Sequence, residues 1–250
     1  MSEKTSRKLR LDQVLVAKGL FASREQAQRA VMAGEVKVGT RIAAKPSQLL
    51  EPDVAIAVKP TRKYVGRGAL KLEGALNHFE IDTYGKIALD IGASTGGFTD
   101  VLLARGAARV HAVDVGRGQL AWKLRQDPRV VVHEATNARY LAGAQIPEPI
   151  DLITCDASFI GLSTLLPAPL ALAADRAQLV ALIKPQFEAG ANAVGKGGVV
   201  RDPAIHQAVC DRIAAWIATQ PGWRVIGIAE SPIQGPAGNR EFLIYARRGE

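Results

Sequence analysis

The sequence contains only two cysteines, and its apolar residues never form a run of the roughly 18 to 20 residues that a membrane-spanning helix needs. Cys155 and Cys210 stand far apart, and neither they nor the four scattered histidines show a spacing typical of metal ligands. We therefore expect no disulfide, no metal and no membrane association. The first residues, MSEKTSRKLRLD, lack the apolar stretch of a secretion signal, so we expect a cytoplasmic protein.

The positive charge of the chain is concentrated near its N-terminus. The net charge is +8; residues 1–66 contribute 13 Lys and Arg against 6 Asp and Glu, whereas residues 67–250 contribute 19 against 18. An evenly spread excess can simply aid solubility. An excess confined to one part of the chain indicates a module that binds a polyanion, with nucleic acid as the first candidate.

The N-terminal part of the sequence has the pattern of a small domain. Residues 9–19 predict a short helix that ends at Gly19, a residue suited to a helix C-terminus. Ser23 and Gln26 form a capping-box pattern, which predicts the start of a second helix. Short stretches of alternating apolar and polar residues follow and predict small strands. The sequence therefore predicts a compact α+β domain over residues 1–59.

A short polar segment rich in Pro, Gly and basic residues follows, and it predicts a linker over residues 60–66. Residues 67–250 then alternate apolar strands with helical stretches. This alternation indicates an α/β domain with a mostly parallel sheet that is covered by helices on both faces. The candidate strands are residues 87–91, 110–113, 130–133, 152–155, 179–183, 225–229 and 242–246.

The first of these strands leads into a glycine-rich turn, DIGASTGGFT, and then into a helix. Glycines at such a turn let a ligand approach the backbone, and Asp114 after the second strand could bind both ribose hydroxyls of a nucleoside. A nicotinamide cofactor and S-adenosylmethionine both fit these features. The GxxxGG spacing favours the methyl donor, as does Asp90, whose charge would repel a pyrophosphate. A tight turn beside a surface Asp is the purely structural alternative.

The candidate cofactor-binding residues extend beyond this turn. Asn137 follows the third strand and could contact an adenine, or simply form a turn. Asp156 follows the fourth strand, at the carboxyl edge of the sheet, where ligands bind in open α/β folds. The full set is Asp90, Gly92, Ala93, Ser94, Thr95, Gly96, Gly97, Asp114, Asn137 and Asp156.

Several charged residues that could be catalytic are predicted at the same edge of the sheet. Asp156 and Lys184 directly follow the fourth and fifth strands, so both should stand beside the glycine-rich turn. Pro185 disfavours helical backbone at Lys184 and keeps the lysine at the strand end. Lys71 lies on the helix before the first strand, and Glu241 begins the last strand. Each of these residues alone could be an ordinary surface charge.

The segment LDQVLVAKGLFASREQAQRAVMAGEVKVG resembles the alpha-L RNA-binding module first known from a small-subunit ribosomal protein. The resemblance implies a basic surface whose Lys and Arg side chains bind RNA phosphates. A solvated basic face on an unrelated helical bundle is the alternative. The candidate RNA-binding residues are Arg10, Arg24, Lys37, Arg41 and Lys45, with Arg67 beyond the linker.

Residues 67–246 resemble the FtsJ-like 2′-O-methyltransferases through RGALKL, DIGASTGGFTDVLL, VDVGRGQLAWKLR, CDASFI, IKPQFE, KGGVVRDP and GPAGNREF. With the N-terminal module included, the whole chain is similar to the TlyA, or hemolysin-A-like, family. The resemblance implies a Rossmann-like class I methyltransferase fold and a catalytic tetrad of Lys71, Asp156, Lys184 and Glu241. Tyr64 stands where the family usually has Trp, and Glu188 is a rival carboxylate for the tetrad.

The same resemblance implies S-adenosylmethionine-dependent 2′-O-methylation of cytidine in large-subunit rRNA, and in some members also in small-subunit rRNA. We expect 23S rRNA as the target, with 16S rRNA as the alternative second target, and we expect a monomer. A ribose 2′-hydroxyl attacks a methyl group poorly unless a base takes its proton. A desolvated amine beside a second cation can do so, whereas neighbouring carboxylates favour the charged amine. We expect Lys184 to be the base, with Lys71 as the neighbouring cation. Whether desolvation or the carboxylates dominate the pKa of the lysine is left open by the sequence.

Other functions fit parts of the sequence less well. Methylation of a base amine typically uses an Asn/Asp-Pro-Pro-aromatic loop, whereas residues 156–159 lack the prolines. Phe159 could still stack on a base or pack against the next helix. Methylation of a pyrimidine C5 needs a nucleophilic cysteine, but both cysteines fall inside predicted elements. A non-catalytic ribosome-assembly factor remains an alternative. So does a membrane-damaging hemolysin, which would need a membrane span or an exposed amphipathic helix.

Overall fold

The computed structural model describes residues 8–51, 53–59, 63–190, 194–195 and 197–249. The chain folds into two compact units, Met1–Arg62 and Lys63–Glu250. Each unit has an apolar core of its own. The larger unit carries the predicted catalytic residues, and the smaller unit carries most of the predicted RNA-binding residues.

The smaller unit contains two helices and two small antiparallel sheets, one of strands β1 and β4 and one in the order β3-β2-β5. Its elements are β1 Leu9–Arg10, α1 Leu11–Ala17, α2 Arg24–Met32, β2 Val36–Val38, β3 Arg41–Ile42, β4 Leu49–Leu50 and β5 Ile56–Val58. The first helix begins two residues later than predicted, because Leu9 and Arg10 pair with β4. The Ser23 side chain caps α2 by accepting a hydrogen bond from the Gln26 N–H, as the sequence predicts.

The larger unit is built on a seven-stranded sheet in the order β11-β12-β10-β9-β6-β7-β8, in which only β12 is antiparallel to its neighbours. All seven predicted strands are confirmed, with some ends shifted. The elements are α3 Ala69–His78, β6 Ile87–Ile91, α4 Gly97–Ala104, β7 Arg109–Val113, α5 Trp122–Arg125, β8 Val130–His133, β9 Ile150–Cys155, α6 Leu162–Leu165, α7 Pro167–Ala171, β10 Ala173–Ile183, α8 Pro185–Glu188, α9 Pro203–Ala218, β11 Trp223–Glu230 and β12 Phe242–Arg248.

Apolar side chains cover both faces of this sheet. Alternate residues of the central strands contribute to two different buried clusters: Leu152 belongs to the cluster of α3 and α4, and Ile153 to the cluster of α6, α7 and α9. Such burial on both faces is characteristic of parallel sheets. Because β7 lies on one side of β6 and β9 on the other, the carboxyl ends of β6 and β9 border the crevice where this class of fold binds ligands.

The predicted linker differs from the structure in its second half. Residues 60–62 lie outside the described residues, whereas Tyr64 is buried in the larger unit and donates a hydrogen bond from its hydroxyl to Glu73 at 2.8 Å. The Val65 N–H donates to an Asp100 carboxylate oxygen at 2.8 Å. The polar composition of the segment predicts exposure, whereas one buried aromatic ring and one backbone hydrogen bond attach its second half to the larger unit.

Candidate active site

The glycine-rich turn between β6 and α4 passes close to two neighbouring segments. Gly92 has φ +77°, and a Cβ atom there would lie 3.0 Å from the backbone of Asp156 and Ala157. Gly96 has φ +95°, and a Cβ atom there would lie 2.2 Å from a methyl group of Leu124. Both positions combine left-handed backbone with a lack of space, so other residues are strongly disfavoured at both.

A cavity of about 490 Å³ opens at the carboxyl ends of β6, β7 and β9. One wall is polar and carries Ser94, Asp114 and Asn137, and the other carries the segment from Asp156 to Ile160. A mostly apolar cleft with a few convergent polar groups is the usual form of a small-molecule site.

Asp114 is held in place by two backbone N–H groups. One carboxylate oxygen accepts from Ser94 at 2.8 Å and the other accepts from Gly116 at 2.7 Å. Each oxygen keeps a lone pair for a further donor such as a ribose hydroxyl. Asn137 lines the same cavity and also accepts a hydrogen bond from the Arg139 N–H at 3.1 Å. Asn137 therefore forms a turn, as the structural alternative predicted, while standing at the cavity wall.

A second, smaller cavity of about 160 Å³ shares Gly92, Ser94 and Asp156 with the first. Its remaining walls include Gly66, Arg67, Gly68, Ala93, Thr95, Gly97 and Phe98. Arg67, which we expected to bind RNA, is thus exposed at the wall of a cavity beside the glycine-rich turn. Its guanidinium group is suited to a carboxylate at this position as well as to a phosphate.

The structure places Asp90 away from both cavities, which corrects its expected contact with the cofactor. Its side chain is fully buried and accepts hydrogen bonds from the Thr99 hydroxyl at 2.7 Å and the Thr154 hydroxyl at 3.1 Å. Burial raises the pKa of the Asp90 carboxyl to about 6. The physical reason is its place in the central strand, where the side chain is enclosed between β9 and α4. Asp90 joins these elements beneath the glycine-rich turn.

The four predicted tetrad residues come together beside these cavities. Lys71 Nζ lies 2.6 Å from a Glu241 carboxylate oxygen and 3.5 Å from Asp156 Oδ2. Lys184 Nζ lies 2.6 Å from Asp156 Oδ1. The result is a continuous chain of alternating charge from Glu241 through Lys71 and Asp156 to Lys184. Both lysines and Glu241 are buried, whereas the Asp156 side chain is partly exposed and reaches both cavities.

Two further residues shape this cluster and were missed in the sequence. The Lys184 amine also donates to the Ser158 hydroxyl at 3.0 Å and to the Asp156 carbonyl oxygen at 3.3 Å. At Gly235, a Cβ atom would lie 2.1 Å from a Glu241 carboxylate oxygen, so only glycine leaves space for that carboxylate. Ser158 lies in the motif CDASFI, and Gly235 begins the motif GPAGNREF. The spacing within these motifs gives no reason to select either residue.

The rival carboxylate, Glu188, has a different environment. One of its oxygens accepts from the Leu162 N–H at 2.7 Å, and the other lies 3.4 Å from an Arg212 nitrogen. Burial raises the pKa of the Glu188 carboxyl. Glu188 therefore supports the start of α6, while Glu241 makes the contact with Lys71.

Phe159 is exposed, whereas both cysteines are buried, and this difference decides which of them can contact a ligand. Phe159 is 89% exposed, has φ +65°, lines the larger cavity and lies beside Phe187, with ring centroids 4.9 Å apart. It is available to a planar ligand. Cys155 and Cys210 are buried, and burial raises the pKa of their thiols to about 12 and about 11. Neither thiol has the exposure or the acidity of a nucleophile.

The predicted RNA-binding residues of the smaller unit fall into two groups. Lys37, Arg41 and Lys45 are exposed and make no ion pair within the described part of the chain. Arg10 and Arg24 are partly exposed, and both bind the carboxylate of Asp12. Asp12 was not identified in the sequence.

A model of the FtsJ-like methyltransferases matches residues 64–248, and a model of the S4 domain matches residues 9–56. The chain belongs to the FtsJ-like methyltransferase family. A relative of this FtsJ-like protein is the 16S/23S rRNA (cytidine-2′-O)-methyltransferase TlyA of Mycobacterium tuberculosis, with 48% identity over 97% of this chain and 91% of that protein. The 23S rRNA (cytidine-2′-O)-methyltransferase TlyA of Campylobacter jejuni is 40% identical over 73% of this chain and 70% of its own.

A solved structure of a hemolysin-named protein from Streptococcus thermophilus has a TM-score of 0.73 and 43% identity, and the match covers 98% of this FtsJ-like chain and 90% of that chain. Within the described ranges, no helix has the length and apolar character to cross a membrane. Among the same residues, no group of three or more His, Cys, Asp or Glu side chains is arranged to hold a metal ion.

Proposed function

We propose that this FtsJ-like protein transfers the methyl group of S-adenosylmethionine to the 2′-hydroxyl of a cytidine in ribosomal RNA. The observation that carries the proposal is the buried Lys71–Asp156–Lys184–Glu241 cluster, whose Asp156 reaches both cavities beside the glycine-rich turn. The names of the Mycobacterium and Campylobacter relatives support the substrate.

The residues of the two cavities fit S-adenosylmethionine. The larger cavity suits the adenosine, with Asp114 accepting from the ribose hydroxyls and Asn137 beside the adenine. The smaller cavity suits the amino-acid tail, where Arg67 can pair with its carboxylate. Gly92, which lines both cavities, lies where the two parts of the ligand would meet. When bound, the cofactor supplies an electrophilic methyl group on a sulfonium, and the departing thioether keeps the electron pair of the broken sulfur–carbon bond.

The tetrad supplies position and a proton acceptor. Asp156 lies between the two lysines and fixes both amines, and its charge would help to hold a bound sulfonium. The 2′-oxygen forms its bond to the methyl carbon and loses its proton, which we assign to the Lys184 amine after that amine has released its own proton to solvent. Lys71 and Glu241 hold Asp156 from the other side. Most of the rate gain in such a site comes from alignment of the oxygen with the methyl group.

The smaller unit is proposed to bind the ribosomal RNA through its basic surface. Its match to the S4 domain and its excess positive charge support this role. The relatives differ in their named targets, with both rRNAs for one and 23S rRNA for the other. We propose 23S rRNA as the target of this chain. The proposed site of action is the cytoplasm, where ribosomal subunits are assembled.

The decisive experiment uses a labelled methyl donor with each ribosomal subunit and each naked rRNA, followed by mapping of the modified ribose. Wild-type protein should label one cytidine 2′-oxygen in 23S rRNA. Lys184→Ala should lose labelling while it retains cofactor binding and its fold. Lys86→Ala, at the opposite end of the central strand, is the matched control and should remain active. Binding of RNA without turnover by the wild type would favour the assembly-factor alternative instead.

A further inference from the structure

In the described part of the smaller unit, one carboxylate is completely enclosed, that of Asp12 on α1. It accepts four hydrogen bonds. Arg10 donates to both of its oxygens at 3.0 and 3.1 Å, Arg24 donates to Oδ2 at 3.1 Å, and Gln28 donates to Oδ2 at 2.7 Å. Oδ2 accepts three of these bonds and Oδ1 accepts one, and the whole residue is enclosed. Because it is enclosed, Asp12 does not reach an external ligand and can act only through the groups that it holds.

The two arginines remain largely available. Their side chains are 40% and 52% exposed, although both are attached to a buried group. A guanidinium has five N–H donors, and Arg10 uses two on Asp12 while Arg24 uses one. Most of the donors on both side chains have no partner among the residues that the structure describes. The positions of these donors are fixed by the shared carboxylate, so the usual entropic cost of ordering two long side chains is largely met before a ligand arrives.

The spacing of the two guanidinium groups suits a single anion. Each Nη2 atom lies 3.1 Å from the same oxygen of Asp12, so the two nitrogens can be at most roughly 6 Å apart. Two donors at such a separation can reach the two free oxygens of one phosphodiester. The cluster of one carboxylate and two guanidinium groups carries a net positive charge, and the arginines hold the pKa of Asp12 well below its usual range.

We propose that Arg10 and Arg24 form a preformed fork for a phosphate of the RNA backbone, and that Asp12 is the positioning residue of this fork. The inference rests on the proposed RNA-binding function and deepens it, because it assigns a role to an acidic residue on a surface that binds a polyanion. Gln28 completes the set by donating to the same oxygen as Arg24. Arg24 also begins α2, so the positive end of that helix faces the same region.

The test asks whether removal of the negative charge of Asp12 strengthens or weakens RNA binding. Asp12→Asn makes the protein more positive, so general electrostatics predicts tighter RNA binding. The fork predicts the opposite, since an Asn amide cannot hold two guanidinium groups: binding should weaken roughly tenfold, the loss of one charge-assisted contact. Glu25→Gln is the matched control, because it removes an exposed carboxylate from the same unit and should bind RNA as tightly as the wild type or more tightly.

The measurement is fluorescence anisotropy of the full-length protein with a labelled RNA stem-loop over a range of salt concentrations. Loss of the fork should reduce the slope of log affinity against log salt by about one phosphate contact. A purely structural role for Asp12 would lower the melting temperature without this selective change. Arg10→Lys and Arg24→Lys keep the charge but lose the fork geometry, and they should weaken binding even if Asp12→Asn does not fold.

The outcomes separate the two proposals. If the wild type binds no RNA, the proposed function is wrong. If the wild type binds RNA, and a folded Asp12→Asn variant binds as tightly or more tightly with an unchanged salt slope, the fork is wrong and the proposed function stands. Unchanged affinity in both lysine variants would contradict the fork in the same way.

Discussion

The buried carboxyl of Asp90 should make the stability of the larger unit depend on pH. Its side chain is fully buried, and burial raises its pKa from an ordinary 3.8 to about 6. Between these values the folded chain holds a proton that the unfolded chain releases. The contribution of Asp90 to the free energy of unfolding should therefore fall as pH rises from about 4 through about 6, and it should level off above the folded-state pKa.

The magnitude follows from the pKa difference. Raising the pKa from 3.8 to about 6 corresponds to about 3 kcal/mol of stability that is present when Asp90 is protonated and lost when it is ionised. Asp90→Asn removes the titration. The difference in unfolding free energy between the wild type and this variant should shift by about 3 kcal/mol, in favour of the variant, between pH 4 and pH 7.

The assay is urea unfolding followed by tryptophan fluorescence at a series of pH values. All three tryptophans, Trp122, Trp216 and Trp223, belong to the larger unit, so the signal reports the unit that contains Asp90. Asp175→Asn, which removes an exposed carboxylate of the same unit, is the control. A difference between wild type and Asp90→Asn that stays constant within about 1 kcal/mol from pH 4 to pH 7 would refute the reasoning.

Three further predictions concern the site itself. Glu241→Gln removes the charge that pairs with the buried Lys71, and methyl transfer should fall at least roughly 100-fold while cofactor affinity, measured by calorimetry, changes much less. Phe159→Ala removes an exposed ring at the cavity, and kcat/KM for RNA should fall roughly tenfold with an unchanged melting temperature; retention of activity in Phe159→Ala, or loss of it in Phe159→Tyr, would argue against stacking. Gly92→Ala adds a Cβ atom 3.0 Å from backbone at φ +77°, so cofactor affinity should fall at least roughly tenfold; normal affinity in this variant would contradict the close approach.

Much of the larger unit could be predicted because its strands are short apolar runs and its turns contain glycine. Parallel topology then places the residues after each strand on one edge, and this rule brings Asp156 and Lys184 together without any knowledge of side-chain positions. Lys71 and Glu241 lie 170 residues apart in sequence, and their contact could be inferred only from the family resemblance.

The residues that sequence reasoning misplaced or missed share a physical cause. Asp90 and Asp12 are carboxylates whose partners come from other elements, so a pattern along the chain shows their charge but not their burial. Tyr64 packs into the larger unit although its neighbours are polar. Ser158 and Gly235 have common side chains, and their importance depends on a distance to Lys184 or Glu241 that only the folded chain defines.

The alternating charges of the tetrad also determine how its variants must be interpreted. Removal of one buried ion leaves its partner unpaired, at a cost of about 3–5 kcal/mol, so a single substitution disturbs the position of the next group as well as its own chemistry. Loss of Glu241 would act on Asp156 through Lys71, whereas loss of Lys184 leaves Asp156 still paired with Lys71. Because Lys184 stands at the end of this chain of charges, beside Ser158, its substitution gives the cleanest separation of proton transfer from the integrity of the site.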